Sequence, residues 1–116
     1  MTFDPRYAIV TASDSGIGKA TAVALAEAGM DVGVTWHSDS QGAEETAEEV
    51  RSKGRKAIVK QLDYTDLPSC AVSVELMIEE LGGLDVFVNN AGMGGSTLLV
   101  DTSYDDWRKI IATNLD

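Results

Sequence analysis

Short apolar runs alternate along this chain with longer stretches of helical period. Tyr7 to Thr11 reads YAIVT, a β-rich run bounded by Pro5 and a polar loop, and predicts a strand. From Ile17, IGKATAVALAEAG is alanine-rich and helical, with Gly29 as its stop. DVGVTW (Asp31 to Trp36) predicts a second strand, and the polar loop HSDSQG leads into the helical AEETAEEVRSKG. There Ala43, Ala47 and Val50 share one face, glutamates line the other, Glu49 and Lys53 stand at i,i+4, and Gly54 ends the element. Lys56 to Leu62 predicts a third strand. The next helix has Thr65 as its expected cap, Pro68 in its first turn, a buried stripe of Leu67, Ala71, Val74, Ile78 and Leu81, and the stop Gly82–Gly83. LDVFVNN (Leu84 to Asn90) predicts a fourth strand, followed by the glycine-rich loop AGMGGS. A last helix is expected from about DTSYDD, where Thr102 and Asp105 have capping-box spacing, with Trp107, Ile110, Ile111 and Leu115 as its apolar stripe.

The resulting order is β-α-β-α-β-α-β-α. Strands that alternate with helices imply crossover connections and a parallel sheet covered on both faces. The runs AIV and VFV suit strands buried on both sides. At 116 residues with 44% apolar content, the chain is expected to form one domain, residues 1–116. No linker, repeat or low-complexity tract interrupts it.

A net charge of −10 argues against a nucleic-acid or anionic-membrane surface, because phosphates would be repelled. No apolar run approaches the ~20 residues that cross a bilayer, and no signal-peptide pattern opens the sequence. The single cysteine, Cys70, lies in a helical pattern and reads as a packing residue. A cytoplasmic setting fits this cysteine usage.

The loop TASDSGIGKA joins the first strand to the first helix. A loop in that position presents backbone N–H groups and the positive end of a helix to an anion. Small residues at Ala12, Ser13 and Ser15 keep it open to a pyrophosphate, while Gly16 and Gly18 permit close approach of a ligand and of the helix to the strand. Glycine patterns alone are weak signals, and the strand-before, helix-after context strengthens this one.

Four segments resemble the short-chain dehydrogenase/reductase family. TASDSGIG is similar to its T-G-x-x-x-G-x-G cofactor loop, and NNAG (Asn89 to Gly92) to its second signature. LDYTD resembles the segment whose aspartate, here Asp63, binds the adenine ring, and IATNLD the helix that carries a catalytic asparagine, here Asn114. The resemblance covers essentially the whole chain but only the N-terminal half of a typical member. It implies a Rossmann-like doubly wound parallel sheet of order 3-2-1-4, incomplete relative to the family. It also implies a nicotinamide dinucleotide held by Ser13, Ser15, Gly16, Ile17, Gly18, Trp36, His37, Ser38, Asp63, Tyr64, Asn90, Ala91 and Gly92, with no metal. The implied chemistry is hydride transfer between the nicotinamide and a small carbonyl or alcohol substrate, in a homo-oligomer.

Ala12 stands where the family usually has glycine. At a positive φ its methyl group costs roughly 1–2 kcal/mol, and at a negative φ it is harmless. No carboxylate ends the second strand, where an acid would bond the ribose hydroxyls of NAD; Trp36, His37 and Ser38 stand there instead, and Asp39 lies further on. That pattern leans towards NADP, with His37 and Ser38 as donors, although His37 reads equally well as a plain loop residue. Asp63, Asn89 and Asn90 also have plain readings as turn or strand-end residues.

The family's Y-x-x-x-K pair is missing: no lysine lies four residues after any tyrosine, and Tyr104 is followed at that spacing by Arg108. The catalytic serine is absent as well. The expectation is therefore the cofactor-binding part of an oxidoreductase that is truncated at its C-terminal end, does not turn over by itself and, with the fourth strand as a sheet edge and faces meant for the missing half exposed, self-associates or is unstable. The alternative is a non-catalytic nucleotide-binding or interaction module.

Overall fold

The computed structural model describes residues 5–63, 66–90 and 97–100. Its elements are β1 (Tyr7–Val10), α1 (Gly16–Glu27), β2 (Asp31–Trp36), α2 (Ser40–Ser52), β3 (Ala57–Gln61), α3 (Leu67–Leu81), β4 (Val86–Asn89) and β5 (Thr97–Val100). The sheet order is β3-β2-β1-β4-β5. The first four strands are parallel, with Val10 opposite Val34 on one side and Val88 on the other.

The 3-2-1-4 parallel order is the expected one. The fifth strand corrects the expectation that β4 forms the sheet edge. Thr97–Val100 runs antiparallel to β4, with Asn89 opposite Thr97 and Val86 opposite Val100. A four-residue apolar run after a glycine-rich loop carries too little periodicity to be read as a strand from sequence, and its pairing is a long-range choice. An antiparallel edge on an otherwise parallel sheet is a common arrangement. The expected last helix lies outside the described residues.

Each face of the sheet has its own core. Ala8, Val10, Val32, Val34, Val86 and Val88 point to the face covered by α1 and α2, where Ala22, Ala26, Ala43, Ala47 and Val50 meet them. Ile9 and Phe87 point to the opposite face, against Cys70, Val74, Met77 and Leu81 of α3. Burying each such valine, isoleucine or phenylalanine contributes about 1.5–3 kcal/mol. The alternation follows from the period of two in a strand: β1 presents Ala8 and Val10 to one layer and Ile9 to the other.

Helix boundaries differ from expectation in informative ways. Asp39 caps α2 by accepting a hydrogen bond from the Gly42 N–H at 2.9 Å, so that helix begins at Ser40, inside the segment read as loop. Asp66, rather than Thr65, caps α3 through the Ser69 N–H. The buried centre of α3 runs through Cys70, Val74, Met77 and Leu81, with Ala71 and Ile78 at its margin. Gly29, Gly54 and Gly82 end the helices with positive φ, as expected. Glu49 and Lys53 do not pair along α2; each bridges to α1, Glu49 to Lys19 at 3.6 Å and Lys53 to Glu27 at 3.3 Å.

Candidate functional site

In this sheet β1 lies between β2 and β4: its connection to β2 runs through α1 on one face, and β4 is reached from β3 through α3 on the other. The crevice at the carboxyl ends of β1 and β4 is the topological switch point, where open α/β sheets bind ligands. The glycine loop after Val10 and the asparagines that end β4 meet there.

The loop is held from three sides. Thr11 donates from its backbone N–H to the Val88 carbonyl at 3.0 Å, and its hydroxyl lies 3.1 Å from Oδ1 of Asn89, which is buried. Asn90 donates from Nδ2 to the Ala12 carbonyl at 3.2 Å. From β2, the Thr35 carbonyl accepts the Ser13 N–H at 3.0 Å, and Thr35 Oγ1 accepts the Ala12 N–H at 3.0 Å. Ser13 is fully buried: its hydroxyl donates to the Val10 carbonyl at 2.8 Å and accepts from the Thr35 N–H at 3.1 Å. From α2, the Thr46 hydroxyl reaches the Ser13 carbonyl at 2.7 Å.

The two glycines serve different ends. Gly16 has φ +58°, and a Cβ there would meet no heavy atom within 4 Å, so the backbone at the start of α1 lies open to a ligand. Gly18 is buried; a Cβ there would lie 2.2 Å from the Ala12 carbonyl oxygen and 2.7 Å from Asn90 Nδ2. Its hydrogen is what lets α1 pack onto the corner of the loop. That corner is Ala12, at φ +51° the one non-glycine residue with positive φ among the described residues. The methyl group that replaces the usual glycine is thus strained.

Ser15 precedes α1 in an extended conformation, makes no side-chain cap, and no acid occupies the first turn. The first-turn N–H groups therefore face the crevice with no carboxylate among them to repel an anion. Ile17 is 74% exposed, although isoleucine is a residue usually buried.

Trp36 ends β2 and packs half-buried beside the α1/α2 core, while His37 and Ser38 are exposed beyond it. Gln61 donates from Nε2 to the His37 carbonyl at 3.0 Å. Asp63 is exposed just beyond β3, and its carbonyl accepts from the Asp66 N–H and from the Cys70 thiol, both at 3.0 Å. Cys70 is buried and unpaired with another cysteine; burial pushes its thiol above the usual range, and the Asp63 and Asp66 carboxylates add to that. The sequence reading of Cys70 as a packing residue agrees with its place in the core beside Val74 and Met77. Tyr64, Ala91, Gly92, Tyr104, Arg108 and Asn114 lie outside the described residues.

The structure thus brings Ser15, Gly16, Ile17 and Asn90 to one crevice, with the Trp36–Ser38 and Asp63 segments at the carboxyl ends of the neighbouring strands β2 and β3; Ser13 and Gly18, expected as cofactor contacts, are instead buried beneath the loop and support it. Thr35 and Thr46 were not singled out from the sequence, yet both anchor the loop. Thr46 carried a signal: a β-branched hydroxyl residue on the same stripe as Ala43, Ala47 and Val50.

The sequence model of the short chain dehydrogenases matches residues 6–116. The chain belongs to that family. It is 50% identical over 111 residues to the uncharacterized oxidoreductase YohF of Escherichia coli strain K12, an alignment that covers 96% of this chain and 44% of that protein. Among solved structures, acetoin dehydrogenase from Enterobacter cloacae is 52% identical, with a TM-score of 0.73 over 94% of this chain and 43% of its own. Carveol dehydrogenase from Mycobacterium avium, solved in complex with NAD, is 30% identical with a TM-score of 0.70, covering 78% of this chain and 36% of its own. A dehydrogenase of Burkholderia cenocepacia with bound NADP is 25% identical with a TM-score of 0.69, covering 72% and 33%. This short-chain dehydrogenase chain therefore spans less than half the length of each of these relatives.

Proposed function

We propose that this chain is the cofactor-binding part of an NAD(P)-dependent oxidoreductase that moves hydride between nicotinamide and a small carbonyl or alcohol. The observation that carries this reading is the Gly16 backbone, open at positive φ and at the sheet's switch point. The pyrophosphate is received by the backbone around Ser15, Gly16 and Ile17, with the helix end supplying partial positive charge. Asp63 takes the adenine side. Asn90 keeps the loop corner in place through the Ala12 carbonyl. The nicotinamide, when bound, supplies the hydride, and the protein supplies position and proton management. Resemblance to an acetoin dehydrogenase supports a small hydroxyketone or diketone as the substrate class of the whole protein.

Of the two cofactors we favour NADP. No carboxylate ends β2, and the Asp39 carboxylate, further on, is engaged at the start of α2. Exposed His37 and Ser38 are left as the donors nearest that strand end. We further propose that residues 1–116 do not turn over by themselves, since they hold no Y-x-x-x-K pair.

Titration of the purified chain with NADPH and with NADH, followed by nucleotide fluorescence, tests these statements. Saturable binding with NADPH the tighter ligand is expected. Tighter NADH binding removes the NADP assignment, and binding of neither removes the cofactor site from this chain. Steady reduction of acetoin or diacetyl by residues 1–116 alone would overturn the statement on turnover.

A further inference from the structure

We propose that Thr46 is a positioning residue for the phosphate-binding loop, one that locks the loop to the segment beyond β2; this rests on the reading of the loop as the cofactor site. Thr46 is fully buried on α2, and its hydroxyl shares its proton between the Ser13 carbonyl at 2.7 Å and the Gly42 carbonyl at 3.0 Å. The contact to Gly42 is the ordinary back-bond of a threonine to the preceding helical turn. The contact to Ser13 is shorter and spans 33 positions.

Packing alone does not account for a threonine here. The other buried residues of α2 are Gly42, Ala43, Ala47 and Val50. Valine would fill the same volume without a hydroxyl to desolvate, and alanine would favour the helix. Through the hydroxyl, the Ser13 carbonyl gains a donor in a place closed to water. Every other polar group of Ser13 is already matched: its N–H with the Thr35 carbonyl, and its hydroxyl with the Val10 carbonyl and the Thr35 N–H. Ser13 is thereby a fixed point from which Asp14, Ser15 and Gly16 extend toward the crevice.

The same helix touches the loop a second time. A Cβ on Gly42 would lie 2.5 Å from the Asp14 carbonyl oxygen and 2.4 Å from Asp39 Oδ2. The first turn of α2 therefore rests on the loop backbone on one side and on its own cap on the other. Asp39 directly follows Trp36, His37 and Ser38 in the chain. One helix thus fixes both the loop assigned to the pyrophosphate and the segment assigned to the ribose, and Thr46 is the hydrogen bond that joins them.

The test compares Thr46→Val with Thr46→Ser in the same chain, using NADPH as probe and amide hydrogen exchange as a second readout. Thr46→Val is expected to weaken NADPH binding roughly tenfold, the effect of leaving one buried carbonyl without its donor. Its Ala12 and Ser13 amides should exchange faster, while those of Ile9 and Val10 in β1 keep their protection. Thr46→Ser keeps the hydroxyl and should restore both. Unchanged NADPH affinity together with unchanged exchange at Ala12 and Ser13 in Thr46→Val overturns the proposal. Should that variant fail to melt cooperatively, Thr46→Ala repeats the comparison with a residue that favours the helix. Loss of the whole fold in both, with Thr46→Ser intact, also overturns it, because the hydroxyl would then serve the fold at large. If the wild-type chain binds no NADPH, the cofactor reading fails and the exchange readout alone decides the role of Thr46.

Discussion

Ala12 sits at φ +51°, where an L-residue other than glycine is held at a cost of roughly 1–2 kcal/mol. The surrounding bonds explain why it stays there: its N–H donates to Thr35 Oγ1 and its carbonyl accepts from Asn90. Replacing it by glycine relieves the strain but loosens the unfolded chain, which offsets part of the gain. Ala12→Gly is therefore expected to raise stability by about 1 kcal/mol in urea unfolding. Gly18→Ala goes the other way. Its methyl carbon would be forced against the Ala12 carbonyl oxygen, a backbone atom that has no rotamer by which to yield. Loss of NADPH binding, with a lowered unfolding midpoint, is expected. Binding as tight as in the wild type would show that α1 can shift away from the loop without harm. Ser13 teaches a different lesson. Its small size in the loop was legible, but the inward turn of its hydroxyl depends on β2, which is distant in sequence.

The helices show how caps and packing divide the work. Glu44, Glu45, Glu48 and Glu49 lie on the solvent side of α2, where acidic residues spaced along one face repel rather than support each other. The start of that helix then depends on Asp39 and on the Gly42 contact with the loop. Asp39→Ala should lower stability by about 1 kcal/mol, measured by thermal or urea unfolding, with fraying confined to the first turn of α2. The Lys19–Glu49 and Lys53–Glu27 bridges between α1 and α2 are half-exposed, so removing either should cost under about 1 kcal/mol and less still at high salt. Their existence shows why an i,i+4 count along one helix misleads when a second helix lies alongside: Glu49 and Lys53 each find a partner on α1.

The molecule as a whole is a sheet with two unlike faces. Alanines dominate where α1 and α2 pack, which brings those helices close to the strands. Larger side chains fill the α3 side, and Phe87 at the centre of β4 is fully buried there against α3. Phe87→Ala should cost about 3–5 kcal/mol, a large share of the roughly 5–15 kcal/mol that ordinarily holds a domain folded, and should show as a strongly lowered midpoint in urea unfolding. Gly33 fits the same picture from β2. It offers no side chain on the α3 face because Met77 Cε occupies that space, 2.6 Å from where a Cβ would lie. On the far side, β5 covers β4, so the outer sheet edge is not the one expected from the order of elements. No described helix is long and apolar enough to cross a membrane.

The alternation of apolar runs and helical periods determined the first four strands, the three described helices and the parallel sense of the sheet, because burial of a two-sided sheet demands that pattern and little else satisfies it; the 3-2-1-4 order followed from the family resemblance. The glycine loop was legible for the same reason: its position between a strand and a helix, and the residue types it needs, are local. Three features came only with the folded chain. They are the positive φ of Ala12, the pairing of β5 with β4, and the hold of Thr35 and Thr46 on the loop. Each depends on which groups meet across long separations, where a backbone donor takes whichever acceptor the packing brings within about 3 Å. Sequence spacing carries no record of that choice, since hydrogen bonds between distant residues are selected by geometry after the layers have packed.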